Sequence, residues 1–303
     1  MTNYRSIFLS DFHIGAKNFD AAALLDFLRK TESDYLYLVG DIIDGWKLQK
    51  RWYWSETINQ VFDELFRKAH DGTKIIYITG NHDENVRRHN IIKRLKYARR
   101  IGIQIKNRVV HKNADGREFL IMHGDQFDRA LLRGPLSRVS DRLYDFVMEK
   151  IKAREPLKIR VNGKVKRFSM AKFLVYHGQL ALNILNNFEN ALCREARRSD
   201  VDGIICGHTH IPALKRIKGI TYGNCGSWLT KKSTAIVEKY NGSLDILDWV
   251  SPDHDLPTSQ DAAHYRPLTL RLVQSVRKVW PTPQDSLKAK RPDVILLSEA
   301  VVP

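Results

Sequence analysis

Cysteine is scarce in this 303-residue chain, which has only Cys193, Cys206 and Cys225. Three widely spaced thiols cannot build a disulfide framework or a thiolate metal site, so they read as small buried hydrophobes and favour a reducing compartment. Long apolar runs are absent too. No stretch approaches the roughly 18 uninterrupted apolar residues of a membrane span. The first apolar run, Ile7 to Leu9, lacks the basic region and length of a signal peptide. Such a chain is expected in the cytoplasm, free or peripheral on a membrane. Acid is the third deficit: 34 Asp and Glu face 50 Lys and Arg, a formal net charge of +16. That imbalance attracts polyanions, whether nucleic acid, anionic headgroups or phosphorylated substrates.

What is present is the make-up of a folded protein, 43% hydrophobic and 28% charged. Extensive disorder and fibrous or low-complexity classes are excluded. The length suits one large domain with an appendage. Short β-branched or aromatic runs stop abruptly at polar groups: Ile7 to Leu9 before Asp11 and His13, and Tyr35 to Val39 before Gly40-Asp41. Ile75 to Thr79 leads into Gly80-Asn81-His82-Asp83, Phe119 to Met122 into His123-Gly124-Asp125, and Gly203 to Cys206 into Gly207-His208-Thr209-His210. Helical patterns follow Asp20 and Ser55, the latter a suitable N-cap. The alternation predicts an α/β core with helices over the sheet. In such sheets ligands gather where strands end, so five dispersed strand ends are expected to meet in one cluster.

Carboxylate, amide oxygen and imidazole are ligands of borderline divalent ions such as Mn²⁺, Fe²⁺ or Zn²⁺. Two ions about 3.5 to 4 Å apart can share a bridging carboxylate and hydroxide, lower the pKa of that water and clamp an in-line phosphoryl displacement. As an ordered set, Asp11-x-His13, Gly40-Asp41-x-x-Asp44, Gly80-Asn81-His82-Asp83, His123 and Gly207-His208-x-His210 resemble the calcineurin-like metallophosphoesterase superfamily over roughly residues 5 to 250. The resemblance implies a β-sandwich core flanked by helices, with a helical insertion. It implies Asp11, His13, Asp41 and His210 on one ion, and Asp41, Asn81, His123 and His208 on the other. His82 would stabilise the transition state or protonate the leaving oxygen, Asn81 would touch metal and phosphate, and Asp44 would orient His82. Two divalent ions are implied, with Mn²⁺ first and Fe²⁺ or Zn²⁺ as alternatives.

Within the superfamily, the segment His123 to Asp128, the insertion before Gly207 and the ending Tyr222 to Trp228 look like the UDP-2,3-diacylglucosamine diphosphatase branch of lipid A biosynthesis. That branch implies cleavage of a nucleotide-linked lipid to UMP and lipid X at the inner membrane. One position departs from it: His82 stands where the branch carries Arg. A nuclease or cyclic-nucleotide phosphodiesterase is the rival within enzymes, and a metal-bound scaffold the rival outside them. Around the motifs, Asp83 reads as the cap of a following helix, and Asp125 as a loop-holding hydrogen-bond acceptor or a substrate contact. Most of His70, His89, His111, His177, His254 and His264 read as surface or capping groups. Tyr222 to Trp228 reads either as a strand and Gly-rich turn with Trp228 in the core, or as a site lining.

The charge is local. Residues 84–112 carry ten Lys and Arg against the single acid Glu84, and residues 126–200 carry sixteen against eight. The second stretch is too long for a loop and reads as an insertion. It has helical spacing at Leu131 to Val147 and Phe173 to Leu185, and a basic connection, Pro156 to Arg167, with a turn at Asn162-Gly163. Either it is a buttress with a solvated basic face, or it caps the metal rim and holds a bulky anionic substrate. In the cap reading Arg87, Arg88, Arg129, Arg133 and Lys172 bind substrate. Residues 1–250 are thus expected to form the catalytic domain and 251–303 a linker and tail. In the tail Leu272, Val273, Val276, Val279 and Trp280 form one apolar stripe, suited to docking on the domain or to lying on an anionic membrane. Single exchanges of Arg129, Arg133 and Lys172 for Ala are expected to raise KM for phosphodiesters; unchanged constants with every substrate would sink the cap.

Overall fold

The computed structural model describes residues 1–83, 103–127, 158–161, 164–167, 185–229, 232–250 and 260–279. Four parallel strands, β1 (Thr2–Leu9), β2 (Thr31–Val39), β3 (Lys74–Ile78) and β4 (Gln104–Lys106), form one side of a six-stranded sheet. The antiparallel pair β12 (Lys232–Glu238) and β13 (Leu244–Val250) completes it, in the order β13-β12-β1-β2-β3-β4. A second sheet has the order β10-β11-β9-β6-β5, from β5 (Arg108–Lys112), β6 (Glu118–Met122), β9 (Gly203–Cys206), β10 (Ala213–Ile217) and β11 (Ile220–Asn224). Within it β6, β9 and β11 are parallel.

Strand periodicity explains the layers, because successive side chains point to opposite faces. Phe8, Tyr37, Val39, Ile76 and Ile78 of the first sheet meet Phe119, Ile121 and Ile205 of the second in a sandwich core. Their neighbours Ile7, Leu9, Leu36, Leu38, Ile75 and Tyr77 face the other way. They pack against Leu24, Phe27 and Leu28 of α1 (Ala21–Lys30) and Val61, Leu65 and Phe66 of α3 (Glu56–His70). On the second sheet Leu120, Met122, Ile204 and Cys206 turn outward onto Phe188, Leu192 and Ala196 of α4 (185–198). The result is helix, sheet, sheet, helix, with about 1.5–3 kcal/mol gained for each large apolar side chain buried. Asp20 and Ser55 cap α1 and α3, accepting from Ala23 N at 2.9 Å and Ile58 N at 3.3 Å. All three cysteines are buried.

Two expectations change. His111 is neither a surface group nor a cap. Its Nδ1 meets the Tyr37 hydroxyl at 2.8 Å and its Nε2 meets Glu238 at 2.8 Å, while Ser6 and Arg5 also bind Glu238 at 2.5 and 2.7 Å. This buried network ties β1, β2 and β12 to β5 of the other sheet. The basic connection holds a hairpin, β7 (Lys158–Val161) with β8 (Lys164–Arg167), whose Val161↔Lys164 pairing leaves only Asn162 and Gly163 between the strands. That fits the hairpin preference of Asn-Gly. The expected helical stripes at Leu131 to Val147 and Phe173 to Ile184 lie outside the described residues.

The tail returns to the domain. Among the described residues after 259 are two helices, α5 (Gln260–Ala263) and α6 (Arg266–Val279). Leu272 and Val276 of α6 are buried in the α1–α3 core, which is the docking alternative for the apolar stripe. Arg266 binds Asp63 at 2.6 Å and also reaches Glu56, and Thr269 Oγ1 donates to Asp63 at 2.5 Å. No described helix is long and apolar enough to cross a membrane. Val276→Asp would bury a carboxylate without a partner and is expected to cost on the order of 3 kcal/mol. An unchanged urea midpoint would show that α6 does not hold the core.

Candidate metal centre

The carboxyl ends of β1, β2, β3, β6 and β9 deliver the expected loops to one rim. Turning that sharply is costly. Asp11, His13, Asp41, His208 and His210 have φ of 55°, 49°, 52°, 73° and 59°, in the left-handed region that Asp and His tolerate better than most. Among the described residues only Asp200 and Lys218 are other non-glycine residues with positive φ. Strain of about 1–3 kcal/mol per residue persists where surrounding structure over-determines it. Gly40 and Gly80 make the close approach possible: an added Cβ would lie 2.3 Å from His123 Nδ1 and 2.2 Å from Asp41 Oδ1 respectively.

Asp41 lies at the middle. Its Oδ2 is 3.3 Å from His123 Nε2, 3.7 Å from His13 Nε2 and 3.9 Å from His82 Nε2, while its Oδ1 accepts from His82 N at 2.9 Å. To one side, Asp11 Oδ1 is 3.1 Å from His210 Nε2 and 3.7 Å from His13 Nε2. To the other, the His123 and His208 rings lie 5.1 Å apart. Asp11, His13 and His210, then His13, Asp41 and His82, then Asp41, His123 and His208 form three groups whose donor atoms lie within 4.8 Å of one another. Asn81 sits on the same turn as His82. The expected residues Asp11, His13, Asp41, Asp44, Asn81, His82, His123, His208 and His210 are thus brought to one rim. Arg87, Arg88, Arg129, Arg133 and Lys172 lie outside the described residues.

The donor set suits divalent ions. Asp11 Oδ1, Asn81 Oδ1 and His123 Nε2 are buried with no hydrogen-bond partner. Such orphans are costly unless a ligand satisfies them. His123 Nδ1 meets the Val39 carbonyl at 2.9 Å, which assigns its proton there and leaves the Nε2 lone pair for an ion. With mixed N and O donors and no thiolate at hand, the set matches Mn²⁺, Fe²⁺ or Zn²⁺.

Electrostatics point the same way. Burial alone would raise Asp11 and Asp41, but His210 and His13 around Asp11, and His123, His13 and His82 around Asp41, hold both below the ordinary carboxylate range. Burial lowers His13, yet the neighbouring carboxylates of Asp11, Asp44 and Asp41 overrule it and raise its pKa to about 9. Protons on imidazoles balance buried carboxylates here, the place a bound cation takes when it displaces them.

Several supporting contacts, beyond the expected pairing of Asp44 with His82, were not legible in the sequence. The helix that Asp83 is expected to cap lies outside the described residues, and Asp83 itself is a buried clamp. It accepts from Ile42 N at 3.2 Å, Ile43 N at 2.9 Å, Gly80 N at 3.2 Å and the Tyr77 hydroxyl at 2.7 Å, fastening the β2 and β3 loops together. Asp44 serves two rings, since its Oδ2 is 3.3 Å from both His82 Nδ1 and His13 Nδ1, while its Oδ1 caps α2 (Gly45–Lys50) at Lys47 N. Asn224 donates to Gly207 O at 2.8 Å and Thr209 Oγ1 at 3.0 Å, and accepts from Gly226 N at 3.0 Å. The Tyr222 to Trp228 segment therefore braces the His208–His210 loop, with Trp228 fully buried. No local pattern marks these partners, because each is remote in sequence or made by backbone.

Comparison with known proteins follows the geometry. The family model described as calcineurin-like phosphoesterase matches residues 4–212. The chain belongs to the calcineurin-like phosphoesterase family. It is accordingly a phosphoester hydrolase, and the family implies divalent ions. A UDP-2,3-diacylglucosamine hydrolase of Shewanella baltica is 26% identical over 258 residues, covering 80% of this chain and 97% of that protein. One of Stenotrophomonas maltophilia is 27% identical over 261 residues, covering 80% and 98%. Among solved structures, a Vps29 variant of Entamoeba histolytica is 17% identical with a TM-score of 0.41, covering 82% of this chain and 93% of its own. An archaeal phosphodiesterase is 14% identical with a TM-score of 0.40, covering 80% and 98%.

The Asp83 clamp has a testable weight. Asp83→Ala leaves three backbone N–H groups and one hydroxyl without their acceptor, at about 1–3 kcal/mol for each buried group left unsatisfied. Urea unfolding is expected to show a loss of roughly 3 kcal/mol or more. A loss below about 1 kcal/mol would mean that the clamp is not needed.

Proposed function

We propose that the chain hydrolyses a phosphodiester or pyrophosphate bond in a nucleotide-linked lipid such as UDP-2,3-diacylglucosamine, giving UMP and lipid X. The carrying observation is Asp41, a buried carboxylate with Asp11, His13 and His210 on one side and His123 and His208 on the other. That arrangement supports one ion on Asp11, His13, Asp41 and His210, and a second on Asp41, Asn81, His123 and His208, with Mn²⁺ the first choice. The choice of substrate draws on the relatives, named for UDP-2,3-diacylglucosamine, whose length this chain matches almost fully.

Bound at such a site, two divalent ions polarise a phosphoryl oxygen and acidify a water. The protein's own groups do the rest. Asp44 faces His82 Nδ1, so the other nitrogen, Nε2, is the one turned toward the Asp41 side of the site. As the water oxygen bonds to phosphorus and the bond to the leaving oxygen breaks, His82 gives that oxygen its proton; the proton lost by the water passes to solvent. The Asn81 amide holds a phosphoryl oxygen. The basic residues Arg87, Arg88, Arg129, Arg133 and Lys172 supply charge for the phosphates, in keeping with an anionic substrate and a peripheral place at a membrane surface.

His82 also favours a second reading. An imidazole can donate a proton near neutral pH, whereas the Arg of the diphosphatase branch cannot. Proton donation matters most when the leaving group is basic, as in a nuclease or cyclic-nucleotide phosphodiesterase. A Mn²⁺-supplemented panel of UDP-2,3-diacylglucosamine, cyclic nucleotides, bis-p-nitrophenyl phosphate and single-stranded DNA separates the readings. UDP-2,3-diacylglucosamine is expected to turn over fastest; no turnover of it beside turnover of a cyclic nucleotide would reassign the substrate. His82→Ala is expected to lose about 10²- to 10⁴-fold in kcat while elemental analysis still finds two ions per chain. Full turnover in that variant would end the acid role.

A further inference from the structure

Trp46 is absorbed neither by the motifs nor by the core. It lies in α2, two residues after Asp44, and is 51% exposed although it is the largest side-chain type. Its indole covers the His82 ring, with centroids 4.6 Å apart and planes inclined by 46°. The His13 ring approaches His82 edge-on, also at 4.6 Å and at 81°. His82 is therefore packed between a metal-ligand candidate and an aromatic ring carried by the surface.

The hydrogen bond expected to orient His82 is insufficient by itself. Asp44 Oδ2 is 3.3 Å from His82 Nδ1, yet that nitrogen is buried without a properly aligned hydrogen-bond partner. The same carboxylate oxygen also faces His13 Nδ1 at 3.3 Å, so His82 does not have it alone. A shared, poorly aligned contact leaves the imidazole free to turn, and something else must fix the plane in which Nε2 points. Among the described residues the ring contacts of His82 are with His13 and Trp46.

We propose that Trp46 is a positioning residue, whose indole clamps His82 against His13 and so holds the proton-donating nitrogen on the leaving oxygen. This rests on the reading that His82 donates that proton. Orientation of a catalytic group enters the rate of the chemical step rather than substrate affinity. Trp46→Ala is thus expected to lower kcat about 10- to 100-fold with KM nearly unchanged. Trp46→Phe, which keeps a ring at the contact, is expected to recover most of the loss.

The experiment uses the full chain loaded with zinc and a series of aryl phosphodiesters whose leaving phenols differ in basicity. In His82→Ala and Trp46→Ala alike, the loss is expected to grow with leaving-group basicity, because that is where a proton donor counts. In parallel, proton NMR reads the His82 Hε1 resonance, assigned by its absence in His82→Ala. The indole ring current is expected to shift it upfield in the parent and in Trp46→Phe, and not in Trp46→Ala. Metal content and circular dichroism check that each variant folds, and Trp46→Leu provides an apolar cover without a ring should Trp46→Ala fail. A raised KM with unchanged kcat would make the indole a substrate wall and overturn the proposal. So would an Hε1 resonance that does not move. Should His82→Ala keep full turnover, the acid role falls and the catalytic consequence of Trp46 falls with it, whereas the resonance still decides the packing.

Discussion

Asp41 is the group around which the rest is arranged. Its carboxylate is buried among three imidazoles and accepts the backbone N–H of His82, while the backbone at the same residue turns left-handed and its carbonyl accepts from His13 N at 2.9 Å. One residue thus fixes a charge, a loop and the neighbouring loop. His123 comes from the second sheet and leans on the Val39 carbonyl of the first, so the charge cluster also fastens the two sheets at their rim. A carboxylate so placed is tolerable only with positive charge beside it. Protons on His13 and His123 supply that charge, in the place that the divalent ions implied by the family would take.

Concentrating carboxylates, imidazoles and strained turns in one place is opposed by desolvation and backbone strain, and the sandwich absorbs that opposition. Strict alternation along β1, β2, β3, β6 and β9 sends one set of side chains between the sheets and the other under helices. The strand bodies are rigid for that reason, and only their last residues are spent on the site. Asp83 and Asn224 then convert rigidity into position: each is fully buried, and each bonds the backbone of a loop that carries candidate ligands. They add to the backbone bonds that already join the loops, such as Asp11 N to Gly40 O at 3.0 Å and Gly207 N to His123 O at 3.2 Å.

What the sequence made legible follows from range. The candidate ligands were readable because each sits within a few residues of a strand end, and the types that bind borderline ions are few. The clamp at Asp83 was not legible because an aspartate that caps a helix and one that gathers backbone N–H groups from its own loop and a neighbouring one look identical locally. His111 was misread because its partner Glu238 lies 127 residues away. The apolar stripe of α6 was readable at helical spacing, but spacing is indifferent to whether lipid or protein covers it; Arg266 and Thr269 meeting the buried Asp63 decide for protein. In the basic connection, charge hid the strand period of Lys-Ile-Arg-Val and Lys-Val-Lys-Arg, and only Asn162-Gly163 betrayed the turn.

The two basic blocks differ in a way that charge counting does not show. The first leaves the described chain at Asp83, inside the site. It re-enters at Ile103, below the rim and just before the edge strand β4, where Gln104 pairs with Ile76. Only one of its ends is held at the metal-binding loops. The second leaves at Phe127, four residues after His123, and, past the β7–β8 hairpin, ends in α4, whose Phe188 ring lies 5.9 Å from that of His208. The same ring would sit 2.9 Å from a Cβ added at Gly124. Entry and exit of the second block are therefore both packed on loops that carry candidate ligands. What ties this block to the metal-binding loops is therefore chain connectivity at its two ends rather than net charge.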